Sequence, residues 1–321
     1  MEIKLGNRKK TNKETEKKVD DLIILGAGPA GLSAALYAAR AELSPLVLTG
    51  MALGGQASLT NTIENYPGFP DGVGGSDLGE LFQKQAARFG ARFEFDTVTE
   101  VDFSQIPYKV KTYSQEYFAK SVIISTGANP NLLNVKGEKE LTGKGVSYCG
   151  TCDGWFFKDK NIVVVGGGDS ALEESIFLTR FAKTVTIIHR RDQLRAGKIL
   201  QTRANNNPKI SFIWDTVVKE IQGDQAVKHV MLENIKTGET RQVETDGVFV
   251  FIGHTPNTEL FKPFIEMDKN GFITTSEYVK TKLPGVFAAG EVMDSHYKQV
   301  VTSAGMGAAA AIEATRYLET R

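Results

Sequence analysis

One order of apolar and polar positions occurs twice in this chain: a short apolar run, a glycine-rich turn, and a helix of small and apolar residues. Leu22-Ile23-Ile24-Leu25 runs into Gly26-Ala27-Gly28-Pro29-Ala30-Gly31 and on into LSAALYAARA, whose apolar residues have helical spacing. Ile162-Val163-Val164-Val165 runs into Gly166-Gly167-Gly168-Asp169-Ser170-Ala171 and then into LEESIFLTRFA. Uniformly apolar strands alternating with helices predict an α/β fold with parallel sheets, and the repeat predicts two Rossmann-like units.

The rest of the pattern sets their order. Residues 1 to 19 are charged and carry no periodicity beyond Ile3 and Leu5, which predicts a disordered, solvated tail. A strand at 45–48, an amphipathic helix at 76–90 and strands through about 125 follow, ending in Thr126-Gly127 before Asn129-Pro130 breaks the chain. A β-rich stretch covers 210 to about 241, and His229 falls in its turn as a surface residue. A strand at 246–252 then ends in Gly253-His254, and a return crossing follows at Pro256-Asn257-Thr258. The last strand reads Gly285-Val286-Phe287-Ala288-Ala289-Gly290-Glu291, with a helix of small residues from about 302 to 318. This C-terminal part belongs with the first unit. The second unit, 129–258, is therefore inserted into the first, 20–128 and 259–321.

Composition narrows the setting. The 38 basic and 38 acidic residues cancel, so no global field points to nucleic acid or an anionic membrane. No apolar run would span a bilayer and the N-terminal stretch is polar, which predicts a cytoplasmic protein. The only two cysteines, Cys149 and Cys152, stand two residues apart in Tyr148-Cys149-Gly150-Thr151-Cys152-Asp153-Gly154. Such a pair closes a small disulfide ring able to exchange with another disulfide, and Asp153 is placed to pass a proton to a leaving thiolate. Zinc would need a second ligand pair at short spacing, which is missing. A buried structural pair stays open on the motif alone, although a reducing cytosol favours a catalytic one.

The glycine turns suit phosphates. Gly26 permits the tight turn, Gly28 lets a pyrophosphate approach the backbone, Gly31 lets helix and strand pack closely, and the helix N-terminus offers amides. The next strand ends in Thr49 where an NAD site would place an acid. Gly55 and Gln56, with Asn65 in ENYPGFP, suit a flat heteroaromatic ring. In the second unit, Gly166, Gly168, Asp169, Ser170 and Ala171 repeat the turn, and the following strand ends in His189-Arg190-Arg191 with Arg195 four residues on. Guanidinium groups where a carboxylate would bind the ribose predict a preference for NADPH.

Taken together, LGAGPAG, GGQ with ENYPGFP, CxxCDG, GGGxSA with HRRxxxR, and FAAGxVxD closely resemble the low-molecular-weight thioredoxin reductases, from Asp20 to Leu318. The resemblance implies FAD in the first domain, NADPH in the second, a homodimer, and thioredoxin as the disulfide reduced. It implies that Cys152 lies nearer the flavin, that Cys149 attacks the partner and that Asp153 donates the proton. It also extends the cofactor contacts to Pro29, Ala30, Thr126, Gly127, Gly253, Glu291, Gln299 and Val300. Gly150, Glu291 and Lys298 depart from the family's commoner Ala, Asp and Arg. A hydroperoxide reductase subunit would need an extra thioredoxin-like domain for which the chain has no room. A reductase of another protein or small disulfide, or a flavin redox sensor, remains the alternative. Because disulfide and nicotinamide share one domain and the flavin sits on the other, the resemblance predicts a rotating second domain hinged near 127–133 and 253–258.

Overall fold

The structure is a computed structural model that describes residues 18–51, 53–60 and 62–321, so residues 1–17 of the expected tail lie outside the described residues. Val19 already opens β1 (Val19–Leu25), which is buried throughout from Leu22. Helix α1 (Pro29–Arg40) starts with proline at its first position, where the missing N–H has no helical partner to lose. Then come β2 (Leu46–Leu48), α2 (Gly75–Ala87), β3 (Arg92–Glu94), β4 (Val98–Asp102), β5 (Tyr108–Thr112) and β6 (Glu116–Ile124).

These strands form a sheet in the order β3-β2-β1-β6-β5-β4. The four from β3 to β6 are parallel, and β5 and β4 add an antiparallel end. Strand order reverses between β1 and β6, so the first glycine turn opens at the switch point, where α/β sheets leave a crevice.

After β6 the chain leaves this sheet through β7 (Ala128–Pro130) and builds a second. Its elements are β8 (Val146–Ser147), α3 (Gly150–Asp153), β9 (Asn161–Gly166), α4 (Asp169–Leu178), β10 (Thr184–Ile188), α5 (Lys198–Asn205) and β11 (Ile210–Ile213). The antiparallel strands β12 (Thr216–Gly223), β13 (Val227–Asn234) and β14 (Thr240–Glu244) come next, followed by β15 (Gly247–Phe251). The second sheet runs β11-β10-β9-β15-β8, all parallel, and its switch point falls between β9 and β15. Both faces are covered. Ile162 and Val164 face α4 and α5, while Val163 and Val165 face the three-stranded sheet through Val218, Val230 and Leu232.

The chain returns through β16 (His254–Pro256), and β17 (Val286–Ala288) joins the first sheet parallel to β6. Helix α6 (Val300–Glu319) then packs across α1 so closely that a Cβ on Gly307 would lie 2.0 Å from Ala30 O. The second sheet is thus inserted in the sequence between β6 and β17 of the first.

Two expectations need correction. Asn129-Pro130 does not break the chain: β7 pairs antiparallel with β16, so the outgoing and returning crossings form one hydrogen-bonded ribbon. A proline is tolerated in such a two-stranded edge because its missing N–H can face away from the partner. His229 is not in a turn. It sits within β13, where its ring Nε2 pairs with Gln222 Oε1 on β12.

Candidate active site

The two cysteines form a disulfide with their Cα atoms 5.3 Å apart. They stand just beyond β8, where Cys149 is the N-cap of α3 and its Sγ accepts the Cys152 N–H at 3.2 Å. The Thr151 hydroxyl lies 3.5 Å from the same sulfur. Buried Ser147, at the end of β8, ties nucleophile and acid together. Its Oγ accepts the Cys149 N–H at 3.1 Å and donates to Asp153 Oδ2 at 2.6 Å. Burial pushes the Asp153 carboxyl above the usual carboxylate range, and the Ser147 hydrogen bond pulls it partly back.

Behind the disulfide stands Glu174 of α4. Burial raises its pKa, with Lys298 acting in the opposite direction. A Cβ on Gly150 would lie 2.2 Å from Glu174 Oε2, so the glycine at this position leaves room for the carboxylate. An alanine here would have to displace the end of that side chain.

The segment before α6 reaches the disulfide from the first sheet. Gln299 Nε2 donates to Thr151 Oγ1 at 3.1 Å, and Gln299 Oε1 accepts from Asn65 Nδ2 at 3.2 Å. Its neighbour Lys298 donates to His254 Nδ1 at 3.4 Å, and burial together with that ammonium lowers the His254 pKa to about 4. Glu291, just past β17, is pushed up to about 7 by burial, while Lys298 lowers it and Asp294 raises it. Buried Asp294 shapes this turn by accepting the backbone N–H groups of His296, Tyr297 and Lys298.

Around the α1 N-terminus the structure gathers Gly26, Gly28, Pro29, Ala30, Gly31, Gly55, Thr126 and the Gly290-Glu291 turn. A Cβ on Gly31 would meet Gly26 O at 1.9 Å, one on Gly55 would meet Gly28 Cα at 3.1 Å, and one on Gly290 would meet Ala30 Cβ at 2.9 Å. Gly28 itself would meet nothing within 4 Å, and no side chain caps α1 there. That open, uncapped cradle fits a pyrophosphate, and the half-buried Glu291 carboxyl beside it fits a hydroxyl-bearing chain. Val300 starts α6, whose N-terminus also has no side-chain cap. Thr49 is buried at the end of β2, with its hydroxyl turned onto Gly50 O. Gln56 bonds to Asn129 of β7 at 2.8 Å, and Gly127 (φ +68°) precedes that strand.

The second cradle is built alike. A Cβ on Gly166 would meet Phe251 O at 2.5 Å, and Ala171 is fully buried beneath the turn. Gly168 is the N-cap of α4 with no side-chain cap, and Ser170 in the first turn is exposed. Asp169 Oδ1 accepts the Gly197 N–H at 2.7 Å, and Arg195 N–H donates to Gly167 O at 2.7 Å, so the arginine segment folds back over the turn. His189 is buried, its Nε2 3.0 Å from Gln193 O, and burial lowers its pKa. Arg190, Arg191 and Arg195 line an open cleft of about 400 Å³. Gly253 (φ +108°) lies two residues past Phe251, the backbone partner of Gly166. Ser147 and Glu174 were not singled out from sequence. They offered no motif, and only their proximity in space marks them.

Two dinucleotide cradles flanking an exchangeable disulfide define an oxidoreductase that moves electrons between a pyridine nucleotide and a disulfide. Residues 20–307 match the family model described as pyridine nucleotide-disulphide oxidoreductase. A thioredoxin reductase of Rickettsia bellii is 51% identical over 302 residues, covering 92% of this chain and 97% of that protein. Among solved structures, a thioredoxin reductase from Streptococcus pyogenes is 45% identical with a TM-score of 0.90, covering 94% of this chain and 99% of the other. The Lactococcus lactis thioredoxin reductase, described in its FR conformation, is 41% identical at the same coverages with a TM-score of 0.64. The chain belongs to the pyridine nucleotide-disulphide oxidoreductases and, within them, to the thioredoxin reductases. Membership implies the use of a flavin and a pyridine nucleotide. No helix among the described residues is long and apolar enough to cross a membrane.

Proposed function

We propose that this protein is a cytoplasmic, homodimeric NADPH-dependent reductase of thioredoxin, with FAD held by residues 20–128 and 259–321 and NADPH by residues 129–258. The observation that carries the reading is the bond from Gln299 to Thr151. It joins the segment leading into α6 of the first cradle to the inside of the disulfide ring on the second sheet. The disulfide therefore stands at the junction of both cradles.

The residues divide the work as follows. Gly26, Gly28, Gly31 and the α1 amides would hold the FAD pyrophosphate, and Glu291 would bind hydroxyls of its ribityl chain. Gly166, Gly168 and the α4 amides hold the NADPH pyrophosphate, with Arg190, Arg191 and Arg195 on its 2′-phosphate. When bound, FAD supplies two-electron transfer from NADPH to the disulfide. In the resulting dithiol, the Cys152 N–H, which already points at Cys149 Sγ, is placed to donate to a Cys149 thiolate. Cys149 attacks one sulfur of the partner disulfide, whose other sulfur leaves as a thiolate and takes the proton of Asp153. Cys152 then attacks Cys149 Sγ, releasing the partner's second thiolate and restoring the internal disulfide. Raised by burial, Asp153 keeps its proton at pH values where an ordinary carboxyl has lost it.

One arrangement does not serve nicotinamide, flavin and a protein substrate in turn. The hinge we place at the β7–β16 ribbon has Gly127 and Gly253 at positive φ beside its strands. The two solved relatives, near-equal in identity yet differing in TM-score, support more than one arrangement in this family. A visible spectrum of the purified protein before and after NADPH, followed by addition of thioredoxin, tests the function. Flavin bands that bleach with NADPH and return with oxidised thioredoxin are expected. Bleaching without return on thioredoxin would overturn the substrate assignment.

A further inference from the structure

The cleft at the end of β10 contains two carboxylates that are out of place in a site for a dianion. Beside the arginines it is lined by Asp192 and Asp215, and by Lys236. Lys236 comes from the turn between β13 and β14. Its ammonium lies 2.9 Å from Asp215 Oδ2 and 3.3 Å from Asp192 Oδ2. Neither aspartate has another ion-pair partner among the described residues. The turn holds this lysine deliberately in place. Asn234 Oδ1 accepts the N–H groups of Lys236 and Thr237 at 2.9 and 3.1 Å, and Gly238 takes φ +74°. Ile235 N–H donates to Asp215 O at 2.7 Å, and Asp215 N–H in turn donates to Arg191 O at 3.3 Å. The hairpin tip is thereby tied to the arginine segment across more than forty residues of chain.

We propose that Lys236 is a coenzyme-specificity residue: its single positive charge, shared between Asp192 and Asp215, offsets one of their two negative charges and so reduces their opposition to a 2′-phosphate bound by Arg190, Arg191 and Arg195. This rests on the reading of the arginine cleft as the 2′-phosphate site. Without the lysine, two anions would face the incoming phosphate among three guanidinium groups, and a pair of carboxylates would also suit the free ribose hydroxyls of NADH. Lys236 itself and Asp192 are exposed, so their pair contributes little to stability, and only Asp215 is partly buried. The effect of Lys236 therefore falls on the bound ligand's field and not on the fold, and that difference makes the two roles separable.

Calorimetric titration of the FAD-loaded enzyme with 2′,5′-ADP and with 5′-AMP tests this. The unmutated enzyme is expected to bind 2′,5′-ADP the more tightly. Lys236→Gln should weaken 2′,5′-ADP about fivefold at low salt, as one unopposed charge several ångströms away would do. It should not weaken 5′-AMP, which also reports an intact fold, and the loss should shrink near 1 M salt, where screening acts within about 3 Å. Adding Asp192→Asn and Asp215→Asn to Lys236→Gln should restore 2′,5′-ADP affinity. Unaltered affinity in Lys236→Gln, or a triple variant as weak as the single one, would overturn the proposal. If the unmutated enzyme bound both probes equally, the reading of the arginine cleft itself would fall.

Discussion

Ser147 Oγ donates a hydrogen bond to Asp153 Oδ2 at 2.6 Å. The bond favours the carboxylate, so it opposes the burial that raises the Asp153 pKa. Ser147→Ala should therefore move the alkaline limb of thioredoxin reduction, where the acid loses its proton, upward. Ser147→Thr should keep it in place. In Asp153→Asn the limb should be missing, and a limb that survives there would assign the proton to another group.

The cysteines should separate by mass spectrometry. Cys152→Ser leaves Cys149 able to attack and unable to be released, so it should trap a mixed disulfide with thioredoxin. Cys149→Ser should still accept electrons from NADPH and form no such adduct. The reverse pattern would exchange the two roles.

Glu291 should make the flavin-free protein's stability depend on pH. Its pKa rises from 4.5 to about 7 on folding. The folded state then binds the proton more tightly, so the stabilisation is full below about 4.5 and is lost as pH rises through 7. Its upper bound is about 3 kcal/mol over that window. Urea midpoints measured from pH 4.5 to 7.5 should fall less steeply in Glu291→Gln than in the unmutated protein. Parallel curves would place Glu291 outside the buried cluster with Lys298.

NADPH should be preferred to NADH by well over tenfold in kcat/KM, since each charge-assisted contact to the 2′-phosphate is worth about 1.5–3 kcal/mol. Arg190→Ala should narrow that ratio mainly through KM for NADPH. Equal kcat/KM for the two coenzymes would remove the arginines from the site.

A cleavable, non-disulfide crosslink holding the disulfide segment against the first cradle should stop steady-state thioredoxin reduction. Cleaving the crosslink should restore it. Turnover at the free rate with the lock closed would dispose of the hinge.

What the sequence made legible was local. Each glycine turn, the paired cysteines and the arginine run are short contiguous motifs whose chemistry depends on neighbours a few residues away. The helix expected over 76–90, found at Gly75–Ala87, and the insertion of one unit in the other also follow from periodicity and from a repeat. Long-range pairings were not legible. Pro130 reads as a breaker until His254, far along the chain, is found beside it. Gly150 reads as an arbitrary departure until Glu174 fills the space an alanine would occupy. Lys236 looks like any turn lysine until β13 and β14 carry it to Asp215.

The joint between the sheets is linked largely through amides. Gln56 bonds to Asn129, Asn129 to Asn257, and Asn257 to Thr126 O. Opening such a chain trades each bond for one with water, at a net cost of about 0.5–1.5 kcal/mol each, and the links themselves are polar. A transition that exposes little apolar surface carries a small heat-capacity change. The balance at this joint should therefore drift little between cold and warm conditions, and none of these amide links gains or loses a proton. An organism whose temperature follows its surroundings would find the same balance there at each one.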